Sequence, residues 1–215
     1  MRSRMATYTL LVALLFTLLA LGQRARGFRL PGNQQGYEPV QPITFSHRLH
    51  AGDLQIDCHY CHSGAERSRH AGIPATGTCL NCHRFVTASW GAVREEENRA
   101  GQEGRQPRRL LSPEIAKLYR HLGLDEKGAG DPSSKPSPVE WVRVHHLPDF
   151  AYFDHRAHLT AGVLCQSCHG PVETMERVRQ QESLSMGWCV NCHRASARKG
   201  VASVETSVDC STCHY

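Results

Sequence analysis

The chain has 215 residues, ten of them cysteine and 14 histidine, and a formal net charge of +5. A charge this small, with no long block of lysine and arginine, argues against a nucleic-acid partner. Hydrophobic residues make up 40% of the chain and concentrate in one N-terminal run, so the rest is poor in material for an aliphatic core. The spread of apolar residues along the chain also argues against a disordered tail and against a protein with several membrane spans.

The first 30 residues contain an uncharged stretch from Ala6 to Gly22 with arginines on both sides. A helix over this stretch would be about 25 Å long, the short end of what crosses a bilayer. A cleaved signal peptide also fits, because Ala20-Leu21-Gly22 resembles a small-residue cleavage site. We predict a retained membrane anchor at 1–30, with the remainder exported to the periplasmic side of the cytoplasmic membrane.

All ten cysteines fall into five Cys-x-x-Cys pairs, and a histidine follows each pair at once. This is the attachment signature of c-type haem: the two thiols bond to the porphyrin and the histidine becomes the proximal iron ligand. Zinc ribbons need such pairs two at a time, and disulfide scaffolds do not require the histidine. We therefore predict five covalently attached haem c groups. Their sites, numbered in chain order, are site 1 (Cys58, Cys61, His62), site 2 (Cys79, Cys82, His83), site 3 (Cys165, Cys168, His169), site 4 (Cys189, Cys192, His193) and site 5 (Cys210, Cys213, His214).

An internal repeat organises the chain. Phe45-Ser-His47-Arg-Leu-His50 precedes sites 1 and 2, and Phe153-Asp-His155-Arg-Ala-His158 precedes sites 3 and 4 at matching intervals. We predict a first two-haem module at 31–91, and a second one at 141–215 that also holds the fifth haem. With so many porphyrins in so short a chain, the haems themselves are expected to form the core. The predicted fold is mostly α-helical, irregular and loop-rich, preceded by one transmembrane helix.

The insertion at 92–140 separates the two modules. Its charged run from Arg94 to Arg109 is expected to be a solvated loop. Ser112 as N-cap, Pro113 at the first helical position and Gly123 as a stop predict one short helix. The Gly128–Pro138 segment, rich in proline, serine and glycine, is expected to be a linker.

A second axial ligand on each iron decides between an electron carrier and an enzyme, because a vacant position can bind a substrate. His47, His50, His155 and His158 recur at matching repeat positions and are predicted distal ligands. His145, just ahead of the second repeat, is predicted as the fifth. Met186, three residues before Cys189, and Met175, six after His169, are alternative soft ligands, with core packing as the competing interpretation.

The repeat element at 45–83 and 153–193 resembles class III cytochromes of the c3/c7 kind. WVRVHHLPDFAYFDHRAH at 141–158, CHGPVETM at 168–175 and SMGWCVNCHR at 185–194 are further similar to the pentahaem ActA subunits of bacterial alternative complex III. This resemblance implies an anchored periplasmic cytochrome in a quinol-oxidising complex. The partners it implies are an iron–sulfur subunit, quinol-binding membrane subunits and a monohaem cytochrome c.

We therefore expect a non-catalytic subunit that relays electrons from a quinol-oxidising membrane complex to a downstream acceptor. A soluble electron shuttle is the alternative if the N-terminal segment is removed. A multihaem reductase of the nitrite-reducing type is disfavoured, because all five motifs end in histidine and the supply of distal ligands meets the demand.

Overall fold

The computed structural model describes residues 2–25, 34–198 and 207–215. Within these ranges the fold consists of short helices joined by loops, with no β-strand. Two isolated antiparallel bridges occur in them, between Leu124 and Gly130 and between Ala151 and His214. The mostly helical, loop-rich class predicted from the sequence is confirmed for this part of the chain.

The helices follow one another in chain order. They are α1 (Arg2–Ala25), the π-helical turn η1 (Arg48–Asp53), α2 (Cys58–Cys61), α3 (Thr76–His83), α4 (Trp90–Gln102), α5 (Pro113–His121), α6 (His155–Thr160), α7 (Gln166–His169), the 3-10 turn η2 (Val172–Thr174), α8 (Met186–Arg198) and α9 (Cys210–Cys213).

Helix α1 covers most of the segment predicted to be a membrane anchor. In the described residues, no helix has both the length and the apolar character needed to cross a membrane. The helical part of the prediction is therefore met at 2–25, and the transmembrane part lacks structural support. The end of the predicted anchor, at 26–30, lies outside the described residues.

The predicted solvated loop at 94–109 was wrong over its first half, because α4 extends to Gln102. The side chain of Ser89 caps this helix by accepting a hydrogen bond from the backbone N–H of Ala92 at 3.3 Å. Glu95 and Arg99, one turn apart, form an ion pair at 2.7 Å on the exposed face. The first part of the charged run therefore belongs to a surface helix, in which opposite charges four residues apart pair with each other.

One carboxylate of this run is buried. Glu96 accepts hydrogen bonds from the guanidinium of Arg105 at 2.5 Å and from the backbone N–H of Arg108 at 2.9 Å. These bonds, with that from Arg105 the largest cause, lower the pKa of Glu96 to about 2. Glu96 thereby fixes the path of the chain from the end of α4 towards α5.

The short helix predicted after Ser112 is confirmed. Helix α5 starts at Pro113, and the Ser112 hydroxyl accepts a hydrogen bond from the backbone N–H of Ile115 at 3.4 Å. The helix packs against α3, which carries site 2. Tyr119, only 1% exposed, donates its hydroxyl proton to the carbonyl of His83 at 2.8 Å and accepts a hydrogen bond from Arg109 at 2.9 Å. The insertion is therefore anchored to the second haem motif.

Few apolar side chains are buried. Among the described residues they are Ile43, Ala65, Ala100, Leu118, Tyr119 and Met175. Half of them belong to the insertion, so the two modules bury very little apolar surface of their own. A core this small cannot by itself hold a chain of this length, which agrees with the expectation that cofactors fill the interior.

The hydroxyl of Tyr119 gives a prediction about stability. Tyr119→Phe leaves the part-buried carbonyl of His83 and the Arg109 guanidinium without this partner, so we expect a loss of about 1–3 kcal/mol in the free energy of unfolding. Urea unfolding followed by circular dichroism measures it. The matched control is Tyr8→Phe at a tyrosine that is 68% exposed, with an expected change within about 0.5 kcal/mol. Equal effects of the two substitutions would contradict the anchoring role of Tyr119.

Candidate haem-binding site

Each Cys-x-x-Cys-His motif forms one helical turn, which places its two thiols on one side and the histidine next to them. At sites 1, 3 and 5 the backbone N–H of the histidine donates to the carbonyl of the first cysteine at 2.8, 3.0 and 2.9 Å. Asp57 and Asp209 cap the turns of sites 1 and 5 through their carboxylates. All ten cysteines are free of disulfides. The described residues also hold no group of three or more His, Cys, Asp or Glu side chains that could bind a metal ion.

The two repeat elements place their histidines in the same way. His47 caps the turn η1 and His50 lies within it, while His155 and His158 lie on α6. In each repeat one phenylalanine ring packs against both imidazoles. Phe45 lies 4.9 Å from the ring of His47 and 4.3 Å from that of His50.

Phe153 repeats this arrangement in the second module, 4.8 Å from the ring of His155 and 4.5 Å from that of His158. The sequence motif thus contains its own support for two imidazoles that project from one helical turn.

Each repeat histidine faces the histidine of one attachment motif. The ring centroids are 6.5 Å apart for His47 and His62, 6.1 Å for His50 and His83, 6.4 Å for His155 and His169, and 6.1 Å for His158 and His193. Imidazole nitrogen binds a metal ion at about 2.0 Å, so two imidazoles that held the iron of one haem between them would have ring centres about 6 Å apart. The four pairs have this spacing, so their residues fit a haem held by two histidines.

The hydrogen bonds of these rings leave one nitrogen available for the metal. Seven of the eight paired rings have a polar partner at Nδ1, and for six of them this partner is a backbone carbonyl. The carbonyls are those of Gly72 for His62 (2.7 Å), Val86 for His83 (2.7 Å), Ser207 for His193 (2.8 Å), Ser46 for His50 (2.9 Å), Arg69 for His155 (2.8 Å) and Asp154 for His158 (2.8 Å). A proton held at Nδ1 leaves the lone pair of Nε2 free, which is the tautomer that an Nε2-ligating histidine needs. The Nδ1 of His47 is buried without a partner.

Burial keeps the inner rings neutral. It lowers the pKa of His47 to about 4, with further lowering by His62 and His50. It lowers the pKa of His169 likewise to about 4, with His155 and His62 as further causes. Neutral imidazole is the form that binds a metal, so these side chains are ready to ligate at neutral pH.

His145, the fifth predicted distal ligand, lies behind a proximal histidine. Its Nε2 is 3.2 Å from Nδ1 of His169, and the two rings meet edge to face at 4.4 Å. Burial, followed by the nearby His169, lowers the pKa of His145 to about 3. The structure therefore brings His145 to site 3 as the Nδ1 partner of His169.

Site 5 differs from the other four. Nδ1 of His214 is 3.4 Å from the carbonyl of Phe150, whose ring lies 5.7 Å from the imidazole. No second imidazole faces His214 in the described part of the chain. The sixth ligand of this site remains a prediction, for which His145 and the two methionines are the candidates from the sequence.

The two methionines have different surroundings. Met175 is buried, and its carbonyl accepts a hydrogen bond from the backbone N–H of Arg48 at 2.9 Å. Met186 is 63% exposed at the first residue of α8, one turn ahead of Cys189. Burial raises the pKa of the Cys189 thiol, and Cys213 of site 5 raises it further. Met186 is therefore on the helix that borders site 5.

Several contributors to the site could not be found from the sequence. The Nδ1 partners of the paired histidines are carbonyls of Gly72, Val86, Ser207 and Arg69, and any residue type provides a carbonyl. Only the position of the backbone in the fold identifies them. Asp154 lies within the repeat that the sequence shows, but the group that contacts His158 is its backbone carbonyl.

Comparison with known proteins agrees with this reading of the site. Residues 151–215 match the family described as cytochrome c7 and related cytochrome c, so this segment is similar to cytochrome c7. Cytochromes of this family bind haem c covalently, in agreement with the paired imidazoles and the free cysteines.

A relative is similar over most of the chain. It is the multihaem cytochrome c subunit of menaquinone reductase from Nitratidesulfovibrio vulgaris, 26% identical over 194 residues. The similarity covers 81% of this chain and 76% of the relative. Coverage this high necessarily includes parts of both modules.

The paired rings predict the effect of removing one distal histidine. In the haem-loaded protein, His155→Ala should leave His169 as the only axial imidazole at site 3 and create a high-spin ferric signal equal to one haem. Electron paramagnetic resonance measures it. The matched control is His146→Ala, because Nε2 of His146 contacts the carbonyl of Arg143 at 2.9 Å and faces no motif histidine. A low-spin spectrum unchanged by His155→Ala would exclude this pairing.

Proposed function

We propose that the chain is a pentahaem c-type cytochrome that relays electrons between a quinone-handling membrane complex and a second redox partner. The observation that carries this proposal is the set of four imidazole pairs at 6.1–6.5 Å. Haem c supplies a one-electron ferric/ferrous couple when it is bound. The paired histidines would fill both axial positions at sites 1–4 and so exclude substrate from these irons.

The proposed partners are the subunits of a membrane quinone oxidoreductase. The resemblance to alternative complex III favours electron flow from quinol to a downstream acceptor. The name of the relative, a menaquinone reductase subunit, favours the opposite direction. We propose the quinol-oxidising direction, with an iron–sulfur subunit, quinol-binding membrane subunits and a monohaem cytochrome c as partners, and the experiment below distinguishes the two directions.

The proposed location is the periplasmic face of the cytoplasmic membrane, because haem c carriers of this kind act outside the cytoplasm. The large apolar side chains of α1 are exposed, among them Leu10, Phe16 and Leu21. Lipid or apolar partner subunits would cover them. A soluble shuttle is the alternative if this segment is removed.

The reductase alternative requires a site without a second axial ligand. At sites 1–4 a second imidazole faces the motif histidine, whereas in the described residues none faces His214. A reductase would therefore have to use site 5, and the sixth ligand predicted for that site would exclude it.

The haem count gives a second test. Cys210→Ala with Cys213→Ala should remove one haem, because these thiols belong to a motif at the end of the chain and contribute to no other site. Intact mass spectrometry should show five haems in the unaltered protein and four in the variant. Five haems in the variant, or fewer than five in the unaltered protein, would contradict the assignment of the motifs.

The relay itself is tested in purified membrane assemblies. A menaquinol analogue should reduce the haems of the assembly, while the same full-length cytochrome, purified free of partners in detergent, should stay oxidised on that timescale. The reason is that we assign quinol oxidation to a partner subunit and only one-electron transfer to this chain. Absorbance of the α-band follows the reaction. Rapid reduction of the isolated cytochrome by quinol would refute the relay. If menaquinone oxidises pre-reduced assemblies but the menaquinol analogue does not reduce oxidised ones, electrons flow towards the quinone and the proposed direction is wrong.

A further inference from the structure

The spatial order of the five attachment sites can be traced from the contacts between them. Sites 1 and 2 are neighbours because their facing histidines, His47 and His50, are three residues apart on one turn. The side-chain amide of Asn81, inside the second motif, donates to the hydroxyl of Tyr60, inside the first, at 2.9 Å.

Sites 3 and 4 are neighbours for the same reason. His155 and His158 are one turn apart on α6 and face His169 and His193.

Site 5 adjoins site 4. The carbonyl of Ser207 is 2.8 Å from Nδ1 of His193, and the Ser207 hydroxyl is 2.9 Å from that of Thr212, inside the fifth motif. The fifth motif therefore continues from the fourth.

The connection between the two modules joins site 3 to site 1, although site 2 precedes site 3 in the sequence. The carbonyl of Arg69, seven residues after His62, is 3.2 Å from the backbone nitrogen of His155 and 2.8 Å from its Nδ1. The side chains of Cys165 and Cys58 also lie close together.

The helical turns beside sites 1 and 3 also lie against each other. The turn η1 of the first module packs against η2, which follows site 3. A side chain at Gly52 would collide with the carbonyl of Glu173, so glycine is needed for this approach. Arg48 ties the same two segments through its hydrogen bond to Met175 and its ion pair with Glu176.

We propose that the five attachment sites form one unbranched row in the order 2–1–3–4–5, with the two modules joined through their first sites. Electrons therefore enter and leave at sites 2 and 5, the two ends of the row. The proposal rests on the function proposed above and adds the path and its ends. It differs from the order of the motifs in the sequence, 1–2–3–4–5, in which site 1 would be an end.

Protein-film voltammetry on the full chain tests this order. A cysteine appended after Tyr215 attaches the site 5 end to a gold electrode, and the charge exchanged at fast scan rates counts the connected haems. Two matched variants each lose one haem: Cys58→Ala with Cys61→Ala at site 1, and Cys79→Ala with Cys82→Ala at site 2.

The proposed row predicts three rapidly exchanging haems in the site 1 variant, because site 2 is then cut off, and four in the site 2 variant. The order of the sequence predicts the reverse, four and three. Reversed counts, or four in both variants, would overturn the proposed row. Fewer than five haems by mass in the unaltered protein, or fewer than five exchanging with the electrode, would instead count against the proposed function.

Mass and circular dichroism first establish that both variants keep four haems and the helical content of the unaltered protein. If either cysteine variant fails this check, His47→Met and His50→Met are used instead. These substitutions leave all ten attachment cysteines in place, and a methionine ligand raises the reduction potential of the haem at its own site. Potentiometric titration should then show two further shifted transitions for His47→Met, whose site has two neighbours, and one for His50→Met. The opposite pattern would overturn the row.

Discussion

The pairing of two imidazoles across a gap of 6.1–6.5 Å is the interaction on which the rest of this structure depends. Each pair joins a histidine of a repeat element to a motif histidine that lies 14 to 35 positions further along the chain. Since the described residues bury so few apolar side chains, these pairs and the cofactors they would hold take the place of a conventional core. Loss of the iron between two rings would remove the reason for the two segments to stay together.

The surroundings of the pairs are built from the backbone. Carbonyls of loop residues hold Nδ1 in most of the paired rings and so set the tautomer and the ring orientation. At site 3 the partner of the motif histidine is instead the buried imidazole of His145. This difference makes site 3 chemically distinct from its neighbours, at the junction of the two modules. Lowered pKa values of His47 and His169 follow from the same burial.

The insertion has a supporting role that its charged composition conceals. Helices α4 and α5 have a small core of their own, with Ala100, Leu118 and Tyr119 buried. Tyr119 reaches the carbonyl of His83 at the end of site 2, and Glu96 fixes the connection between the two helices. Site 2, at one end of the proposed row, is therefore backed by the most conventionally packed part of the chain.

The sequence by itself determined the attachment motifs, the repeated Phe-x-His-x-x-His elements and the capped helix after Ser112, because each depends on residues within a few positions of one another. It could not distinguish the helix α4 from a charged loop, since burial of Glu96 depends on Arg105 beyond the helix end. It identified His145 as chemically significant, and only the fold placed that ring against His169. Tertiary structure decided which repeat histidine faces which motif histidine. It also decided which carbonyls orient the rings and which segments of the two modules meet. Each of them joins segments far apart in the chain, and such distances are set by the packing of the whole molecule.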